Sequence, residues 1–307
     1  MSIQVSAIIC TYNRANYLRK SIQSLVEQTL NPECYEIVVV DNHSTDRTQQ
    51  VATEEFASVS NLRYIYEPIL GLSQARNAGW KAAKGEYVAY LDDDAIASPS
   101  WLENIVKAFE TVTPQPGCIG GKIQLIWEVP KPDWLPSRFL PYLGKLNWSS
   151  VPLILDSRQY IGGGNMAVPR LLLETLGGFN LNLGRKGGNL LSNEELFLLD
   201  RIKEKGYSIY YDPEISIGHH VPAARLTKDW FVKRYYWQGV SDAWIAIERK
   251  SLSRQQRIDL STVKLKELLT SPKQCAYLLL PGSTKNRLHL KCDAWKQIGY
   301  IWGLLTL

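Results

Sequence analysis

The chain has 307 residues, 45% of them hydrophobic, and a formal net charge of +5, a composition typical of a soluble globular protein with one large domain or two unequal ones. Its five widely spaced cysteines include no CxxC pair and indicate neither a disulfide framework nor a zinc site, so we expect a reducing, cytoplasmic compartment. Neither secretion nor a transmembrane anchor is expected, because no basic leader precedes the first strand and no apolar run approaches the roughly 18 residues of a membrane span.

The N-terminal part of the chain alternates apolar strands with amphipathic helices. Strands are predicted at residues 3–10, 36–40 and 62–66, and a fourth begins at Glu86. The segment after the first strand has Leu18, Ile22 and Leu25 at helical spacing. Strands that alternate with helices in this way predict a mostly parallel sheet with helices on both faces. Such sheets bind ligands beyond the carboxyl ends of their strands.

Three consecutive aspartates, Asp92–Asp94, follow the fourth strand. Crowded carboxylates must either raise a pKa or recruit a cation, and a hard divalent metal ion such as Mg²⁺ or Mn²⁺ is the usual solution. Thr11–Arg14 and Asp41 follow the first and second strands, so the same edge of the sheet is expected to carry them. The alternative is a solvated acidic turn before a helix that Ser98 and Pro99 begin.

Four sequence phrases, found in this order, resemble the inverting glycosyltransferases of family 2. They are Ser-Ala-Ile-Ile-Cys-Thr-Tyr-Asn-Arg, Val-Val-Val-Asp-Asn-His-Ser-Thr-Asp-Arg-Thr, Gly-Leu-Ser-Gln-Ala-Arg-Asn-Ala-Gly and Tyr-Leu-Asp-Asp-Asp-Ala. The resemblance covers residues 3–225. It implies the α/β GT-A fold, a Rossmann-like nucleotide-binding mixed sheet flanked by helices, to which this chain adds a helical C-terminal extension.

The resemblance further implies that a nucleoside diphosphate sugar binds at the strand ends. The implied nucleotide contacts are Thr11, Tyr12, Arg14, Asp41, Arg76, Asp92 and Asp93. In this scheme Asp41 hydrogen-bonds the base, Arg76 lies near the base or the diphosphate, and Asp93 faces the ribose. The chemistry suits these roles, because a carboxylate accepts from a base N–H and arginine binds phosphate well. Alternatively, Asp41 only closes a turn and Arg76 is a surface residue.

Asp94 and His219 are the metal ligands that the resemblance implies. In metal-dependent members of the family, a histidine after the corresponding strand can complete the coordination of the ion. The spacing to Arg225 favours His219 over His220. An imidazole among oxygen ligands suits Mn²⁺ rather better than Mg²⁺. The alternative is that both histidines are ordinary loop residues.

Glu194 and Glu195 stand where the family has its catalytic Glu-Asp motif. The alignment puts the general base at the second position, hence at Glu195, where the family usually has aspartate. Glutamate is one methylene longer than aspartate, so Glu195 can act as the base only if the site accommodates a carboxylate that lies further from the backbone. The alternative is that both residues are acidic only because a helix N-terminus favours negative charge.

Residues 117–165 are the candidate acceptor-facing segment, since aromatic rings suit sugar faces and prolines prevent a long helix there. Its aromatic candidates are Trp127, Trp134, Tyr142, Trp148 and Tyr160. Core packing explains any single one of them equally well. A glycine run at residues 162–164 would allow close approach to a ligand, although such a run alone is weak support for phosphate binding.

The predicted domain organisation divides the chain after residue 225. Residues 1–116 would bind the nucleotide sugar, residues 117–225 would hold the acceptor and catalytic part, and residues 226–307 would form the helical extension. Helices are predicted at 230–249, 262–270 and 295–307, with a short apolar segment at 277–280. Residues 221–307 contain 15 Lys and Arg against 6 Asp and Glu, a formal charge of +9. This balance fits either peripheral contact with an anionic membrane or a helical subdomain packed on the core.

The expected function is the metal-dependent inverting transfer of a sugar from a nucleoside diphosphate sugar, with UDP-sugars favoured, to an acceptor hydroxyl. The expected acceptor is a saccharide or a lipid-linked sugar in polysaccharide or glycoconjugate synthesis, and no nucleic acid is expected as a partner. Two alternatives stay open: a sugar-phosphate nucleotidyltransferase and a non-catalytic carbohydrate-binding module. The first normally has a glycine-rich loop after the first strand, whereas this chain has no glycine before Gly71.

Overall fold

A computed structural model describes residues 2–279 and 287–307 of the chain. These residues form two compact units. The first unit comprises described residues of 1–126, 144–181 and 194–220, and the second comprises those of 127–143, 182–193 and 221–307. The predicted domain division after residue 225 assigns 127–143 and 182–193 differently, and it stays a prediction.

A nine-stranded mixed sheet forms the centre of the first unit. Its strands are β1 Val5–Thr11, β2 Tyr35–Asp41, β3 Leu62–Tyr66, β4 Tyr87–Asp92, β5 Ala95–Ala97, β6 Cys118–Trp127, β7 Leu153–Ile154, β8 Asn165–Pro169 and β9 Ile209–Val221. Their order is β3-β2-β1-β4-β8-β6-β9-β5, and β7 pairs with β9. The strands β1 to β4 are parallel, and β8 runs antiparallel to β4. The α/β fold predicted from the strand and helix alternation is therefore confirmed.

Six α-helices among the described residues belong to the first unit, besides a 3₁₀ turn at Pro32–Cys34. They are α1 Ala15–Val26, α2 Thr48–Gln50, which continues as a π-helical turn over Val51–Glu55, α3 Leu72–Ala82, α4 Trp101–Thr111, α5 Arg170–Leu176 and α6 Glu194–Glu204. The prediction that Ser98 and Pro99 begin a helix is wrong by two residues, since α4 starts at Trp101 with Ser100 at its N-cap. Ser98 contributes its carbonyl oxygen instead, which accepts from the Trp101 N–H at 3.0 Å.

The register of the parallel strands brings the polar strand ends together. Residues 7–9 of β1 and 37–40 of β2 are fully buried, as strands covered on both faces require. Within this apolar frame, Thr11 pairs with Asp41 and Cys10 pairs with Asp92. The three strand ends thus lie side by side, and a polar edge results where the apolar pattern stops.

Four helices form most of the second unit: α7 Lys228–Lys250, α8 Arg254–Leu269, α9 Pro272–Leu279 and α10 Leu288–Thr306. The three predicted helices exist, although each begins earlier than predicted. Of the predicted apolar segment 277–280, residue 280 lies outside the described residues. Among the helices described, none combines the length and apolar character that a membrane crossing needs.

The helices α7 and α10 cross with their backbones almost in contact. A Cβ atom at Gly239 would lie 1.9 Å from the carbonyl oxygen of Lys296, and one at Gly299 would lie 1.9 Å from that of Tyr236. Only glycine permits such an approach, because any side chain would overlap a backbone oxygen. Lys296 also forms an ion pair with Asp242 of α7 at 2.8 Å. The crossing therefore fixes one relative position of the two helices.

Candidate active site

The aspartate run lies in a two-residue turn that joins β4 to β5. Asp92 is the last residue of β4, and Asp93 and Asp94 form the turn itself. The short strand β5 pairs antiparallel with β9, which sets Ala95 opposite His219. The backbone N–H of His220 donates to the carbonyl oxygen of Asp94 at 2.8 Å. Strand pairing thus carries His219 to the aspartates from more than a hundred residues away.

Asp92, Asp94 and His219 form a cluster in which one potential ligand atom of each lies within 4.8 Å of the others. His219 Nε2 is 3.1 Å from Asp94 Oδ1. The buried Nδ1 of His219 has no hydrogen-bond partner among the described residues. Two carboxylates and an imidazole are a donor set that Mn²⁺ accepts, so these residues fit a divalent metal ion.

This geometry adds Asp92 to the candidate metal ligands, whereas the sequence had suggested nucleotide contact for it. The ligand roles predicted for Asp94 and His219 stay predictions. His220 takes a different direction, because its ring packs edge-on against Tyr17 at 5.8 Å. Both histidines belong to β9, so the reading of them as ordinary loop residues is wrong.

Arg14 provides the nearest positive charge to the two turn aspartates. Its Nη1 donates to Asp93 Oδ1 at 2.9 Å and to Asp94 Oδ2 at 2.7 Å. Both carboxylates are buried, with Asp93 6% and Asp94 3% exposed. Burial raises the pKa of Asp93 to about 6, against the opposing effect of the Arg14 guanidinium. The turn is therefore a buried anionic site and not a solvated acidic loop.

Ser21 on α1 holds the backbone of the same turn, and sequence reasoning missed it. Its buried hydroxyl lies 2.7 Å from the carbonyl oxygen of Asp93 and 2.6 Å from that of Ala95. The available signal was a small polar residue next to Ile22 on the predicted buried face of α1. Such a residue in an apolar stripe usually has a hydrogen-bond partner inside the protein.

Arg76 on α3 connects the aspartate run to the helix α6. Its Nη1 lies 2.6 Å from Glu194 Oε1, and its Nη2 lies 3.7 Å from Asp92 Oδ1. The guanidinium also stands over the ring of Phe179, 5.2 Å from its centroid. Arg76 is only 3% exposed, so the alternative that it is a surface residue is wrong.

The glycine run at 162–164 makes room for this arginine and for Asp92. A Cβ atom at Gly163 would lie 2.7 Å from Arg76 Nη2, and one at Gly164 would lie 2.2 Å from Asp92 Oδ2. These glycines therefore allow the loop before β8 to pack directly on the charged side chains. Their observed contacts are with protein groups of the site.

Glu194 and Glu195 begin α6 and differ in their surroundings. Glu194 is 5% exposed and is bound to Arg76. Glu195 is half-buried. Consecutive residues of a helix project about 100° apart. Because Glu194 points towards Arg76, Glu195 must point in a different direction. The predicted role of Glu195 as general base is compatible with this arrangement and stays a prediction.

The predicted nucleotide contacts at the ends of β1 and β2 lie next to one another. Asp41 is buried and accepts from the Ser44 N–H at 2.9 Å and from the Tyr64 hydroxyl at 2.8 Å. It does close a turn, as the alternative suggested, yet each carboxylate oxygen has a second lone pair for another donor. Thr11 is buried, and Tyr12 is 38% exposed.

The aromatic residues of segment 117–165 pack mainly against other rings. In the first unit, the rings of Trp148 and Tyr160 stand 5.5 Å apart, and the Trp148 indole donates to the Tyr160 carbonyl at 2.7 Å. In the second unit, Trp134 packs against Phe231. Tyr142 likewise packs against a neighbouring tyrosine of α7. Their acceptor role stays a prediction.

The sheet order, with the acidic turn at its edge, is that of the GT-A fold. Over 99% of this chain and 74% of the other, the fold is similar to that of the mannosyltransferase PcManGT from Pyrobaculum calidifontis in complex with GDP-Man and Mn²⁺, with a TM-score of 0.59 and 22% identity. It is also similar to that of S. aureus TarS in complex with UDP, over 97% of this chain and 89% of that one, with a TM-score of 0.52 and 18% identity.

Residues 6–161 match the model of the glycosyl transferase family 2. The chain therefore belongs to this family, as its sequence phrases indicated. A curated relative from Haloferax volcanii, a glucosyl-dolichyl phosphate glucuronosyltransferase, is 28% identical over 99% of this chain and 97% of its own length. The protein is thus a glycosyltransferase, and its similarity to this relative extends through the helical C-terminal region.

We predict that Arg76→Met lowers the free energy of unfolding by about 3–5 kcal/mol, because the substitution leaves the buried Glu194 carboxylate without its counter-ion. Urea unfolding followed by circular dichroism measures this change. The double variant Arg76→Met/Glu194→Gln should recover part of the loss, and Arg47→Met is the matched control at an exposed arginine. A loss below about 1 kcal/mol for Arg76→Met, the value of a surface ion pair, would contradict the prediction.

Proposed function

We propose that the protein catalyses the metal-dependent, inverting transfer of a sugar from a nucleoside diphosphate sugar to an acceptor hydroxyl, in polysaccharide or glycoconjugate synthesis. One observation carries the proposal: the cluster of Asp92, Asp94 and His219 at the polar edge of the sheet, connected through Arg76 to the acidic start of α6. A departing diphosphate needs a cation beside it, and an acceptor hydroxyl needs a carboxylate that can take its proton.

The donor would bind along the ends of β1, β2 and β4. Asp41 keeps lone pairs for a base N–H, and the partly exposed Tyr12 offers an aromatic surface beside it. Asp93 would face the ribose, while Asp92, Asp94 and His219 hold a divalent cation. The bound cation would supply charge stabilisation of the departing diphosphate. We favour a UDP-sugar as donor.

The acceptor hydroxyl would lose its proton to Glu195 as its oxygen attacks the anomeric carbon. A single displacement of this kind inverts the configuration at that carbon. Glu194 is unsuited to the task, because Arg76 binds its carboxylate at 2.6 Å and burial leaves it 5% exposed. Its ion pair would instead orient the first turn of α6, and with it Glu195.

A lipid-linked sugar is the acceptor class that the relatives support best. The Haloferax volcanii relative is named for transfer to a glucosyl-dolichyl phosphate, and the similarity runs over nearly the whole of both chains. A saccharide without a lipid stays the second option. The solved structures with GDP-Man and Mn²⁺ or with UDP support a nucleoside diphosphate sugar as the donor class.

An enzyme with a lipid-linked acceptor must reach a membrane surface, and α8 offers an apolar stripe for that contact. Ile258, Leu265 and Leu269 are 40%, 44% and 64% exposed. They lie within about 40° of one another around the helix axis, at 100° per residue. Exposed Arg254 and Lys266 flank the stripe. We therefore propose a cytoplasmic enzyme that binds the anionic face of the cytoplasmic membrane peripherally through residues 226–307.

We predict that Asp94→Asn abolishes the Mn²⁺-dependent part of the thermal shift with UDP, because the cluster loses a charged ligand. The melting temperature is measured with UDP or GDP, with and without Mn²⁺; ligand at about 100 times its Kd stabilises by about 2.7 kcal/mol. The exposed Asp133→Asn is the control and should behave as wild type. Equal nucleotide binding by wild type with and without metal would refute the metal dependence.

We predict that Glu195→Gln lowers kcat by at least about 10²-fold with donor binding unchanged, the usual effect of losing a general base. Glu195→Asp should keep appreciable activity, since it retains the carboxylate found in the family. Steady-state kinetics test both, with Glu204→Gln at the exposed end of α6 as control. If Glu194→Gln stops turnover without unfolding the protein while Glu195→Gln stays near wild type, the assignment is wrong by one residue.

We predict that the protein co-sediments with phosphatidylglycerol vesicles at low salt and less so at high salt, since each Lys or Arg near an anionic surface contributes about 1 kcal/mol. The double variant Leu265→Ser/Leu269→Ser should bind more weakly. Leu171→Ser, at a 73% exposed position of α5 in the first unit, is the matched control. No binding of wild type at low salt, or equal loss with the control variant, would exclude a role for the α8 stripe.

A further inference from the structure

Two arginines partly balance the negative charge of the aspartate run. Arg14 shares one guanidinium nitrogen between Asp93 Oδ1 and Asp94 Oδ2, at 2.9 and 2.7 Å. On the opposite side of the run, the Arg76 Nη2 lies 3.7 Å from Asp92. Each of the three carboxylates therefore has an arginine beside it.

Arg14 contacts a carboxylate that a metal ion in the cluster would use. Asp94 directs Oδ1 to His219 at 3.1 Å and Oδ2 to Arg14 at 2.7 Å, so both oxygens are already engaged. A cation that joined Asp92, Asp94 and His219 would lie close to the guanidinium and would be repelled by it. Asp94 and His219 are 3% and 8% exposed, so this repulsion is screened less than it would be between charges at the surface.

Arg14 stands at the start of the first helix. It is the N-cap residue of α1, and its side chain makes no capping hydrogen bond. Further along α1, Ser21 holds the backbone of the aspartate turn through the carbonyls of Asp93 and Ala95. The N-terminal half of this helix thus contacts the turn twice, through the Arg14 guanidinium and through the Ser21 hydroxyl.

We propose, on the basis of the metal-dependent transfer proposed above, that Arg14 is the internal counter-ion of the aspartate run and makes metal binding conditional on the nucleoside diphosphate. The guanidinium lowers the affinity of the cluster for a free divalent cation. A bound diphosphate places negative charge next to both the metal ion and the Arg14 guanidinium, and this charge offsets the repulsion between them. Metal and nucleotide then strengthen the binding of each other, and by linkage the coupling is reciprocal.

This role differs from the direct nucleotide contact that the sequence resemblance implies for Arg14, and the two roles predict different effects on the binding of free Mn²⁺. A counter-ion that is removed leaves excess negative charge, so free Mn²⁺ binds more tightly. A phosphate ligand that is removed weakens nucleotide binding and leaves the affinity for free Mn²⁺ unchanged. A residue that only supports the fold would weaken both.

The experiment measures the Kd of Mn²⁺ by electron paramagnetic resonance, with the protein alone and with saturating UDP or GDP. Arg14→Gln should bind free Mn²⁺ at least about fivefold more tightly than wild type, the lower end of usual coupling between two ligands. The ratio of the Mn²⁺ Kd without and with nucleotide should fall by a similar factor. Arg14→Lys, which keeps the charge, should remain near wild type.

Arg47→Gln is the matched control, since it removes one exposed arginine of the same unit. The melting curve of Arg14→Gln in EDTA shows whether the variant is folded. If the folded variant binds free Mn²⁺ as wild type does or more weakly, the role proposed for Arg14 is overturned, but the proposed function is not. Absence of Mn²⁺ binding by wild type with either nucleotide would overturn the metal-dependent function itself. The two failures are therefore distinguishable.

Discussion

The concentration of negative charge around the end of β4 is the constraint on which the rest of the first unit depends. Among the described residues, Asp92, Asp93, Asp94 and Glu194 pair with two arginines, one at the start of α1 and one on α3. Removing charges from water costs several kcal/mol per ion, and hydrophobic side chains would usually be no less stable in their place. An arrangement of this kind persists where chemistry requires it, and here it sets the positions of two helices against the sheet.

The fold was predictable from the sequence because its signals are local. Apolar runs such as Val38–Val40 and helical stripes such as Leu18, Ile22 and Leu25 identify each element within a short window. The principle that parallel strands end at one edge then places Asp41 and Asp92–Asp94 together. Helix starts were less predictable, as the incorrect start at Ser98 illustrates, since several nearby residues can supply the first hydrogen bonds.

The candidate site was predictable only in part, because its electrostatics depend on contacts between distant residues. Nothing in the local pattern around Arg76 indicates that a carboxylate 118 positions away will bind its guanidinium. The same holds for Arg14, which the family resemblance assigns to the nucleotide, and for Ser21. Sequence reasoning therefore supplied candidate residues, whereas the hydrogen-bond and ion-pair partner of each charged group required the structure.

The crossing of α7 and α10 determines where the second unit tolerates insertions. The backbones meet at Gly239 and Gly299, so the two helices are joined independently of the chain between them. Lengthening a connecting segment is cheap in free energy, since each doubling adds only about 0.6 kcal/mol of closure entropy. Insertions in the short connections on either side of α8, at residues 251–253 and 270–271, can therefore accumulate without loss of the helix pair. The two glycine positions cannot vary in this way, because any side chain there would overlap a backbone oxygen of the partner helix.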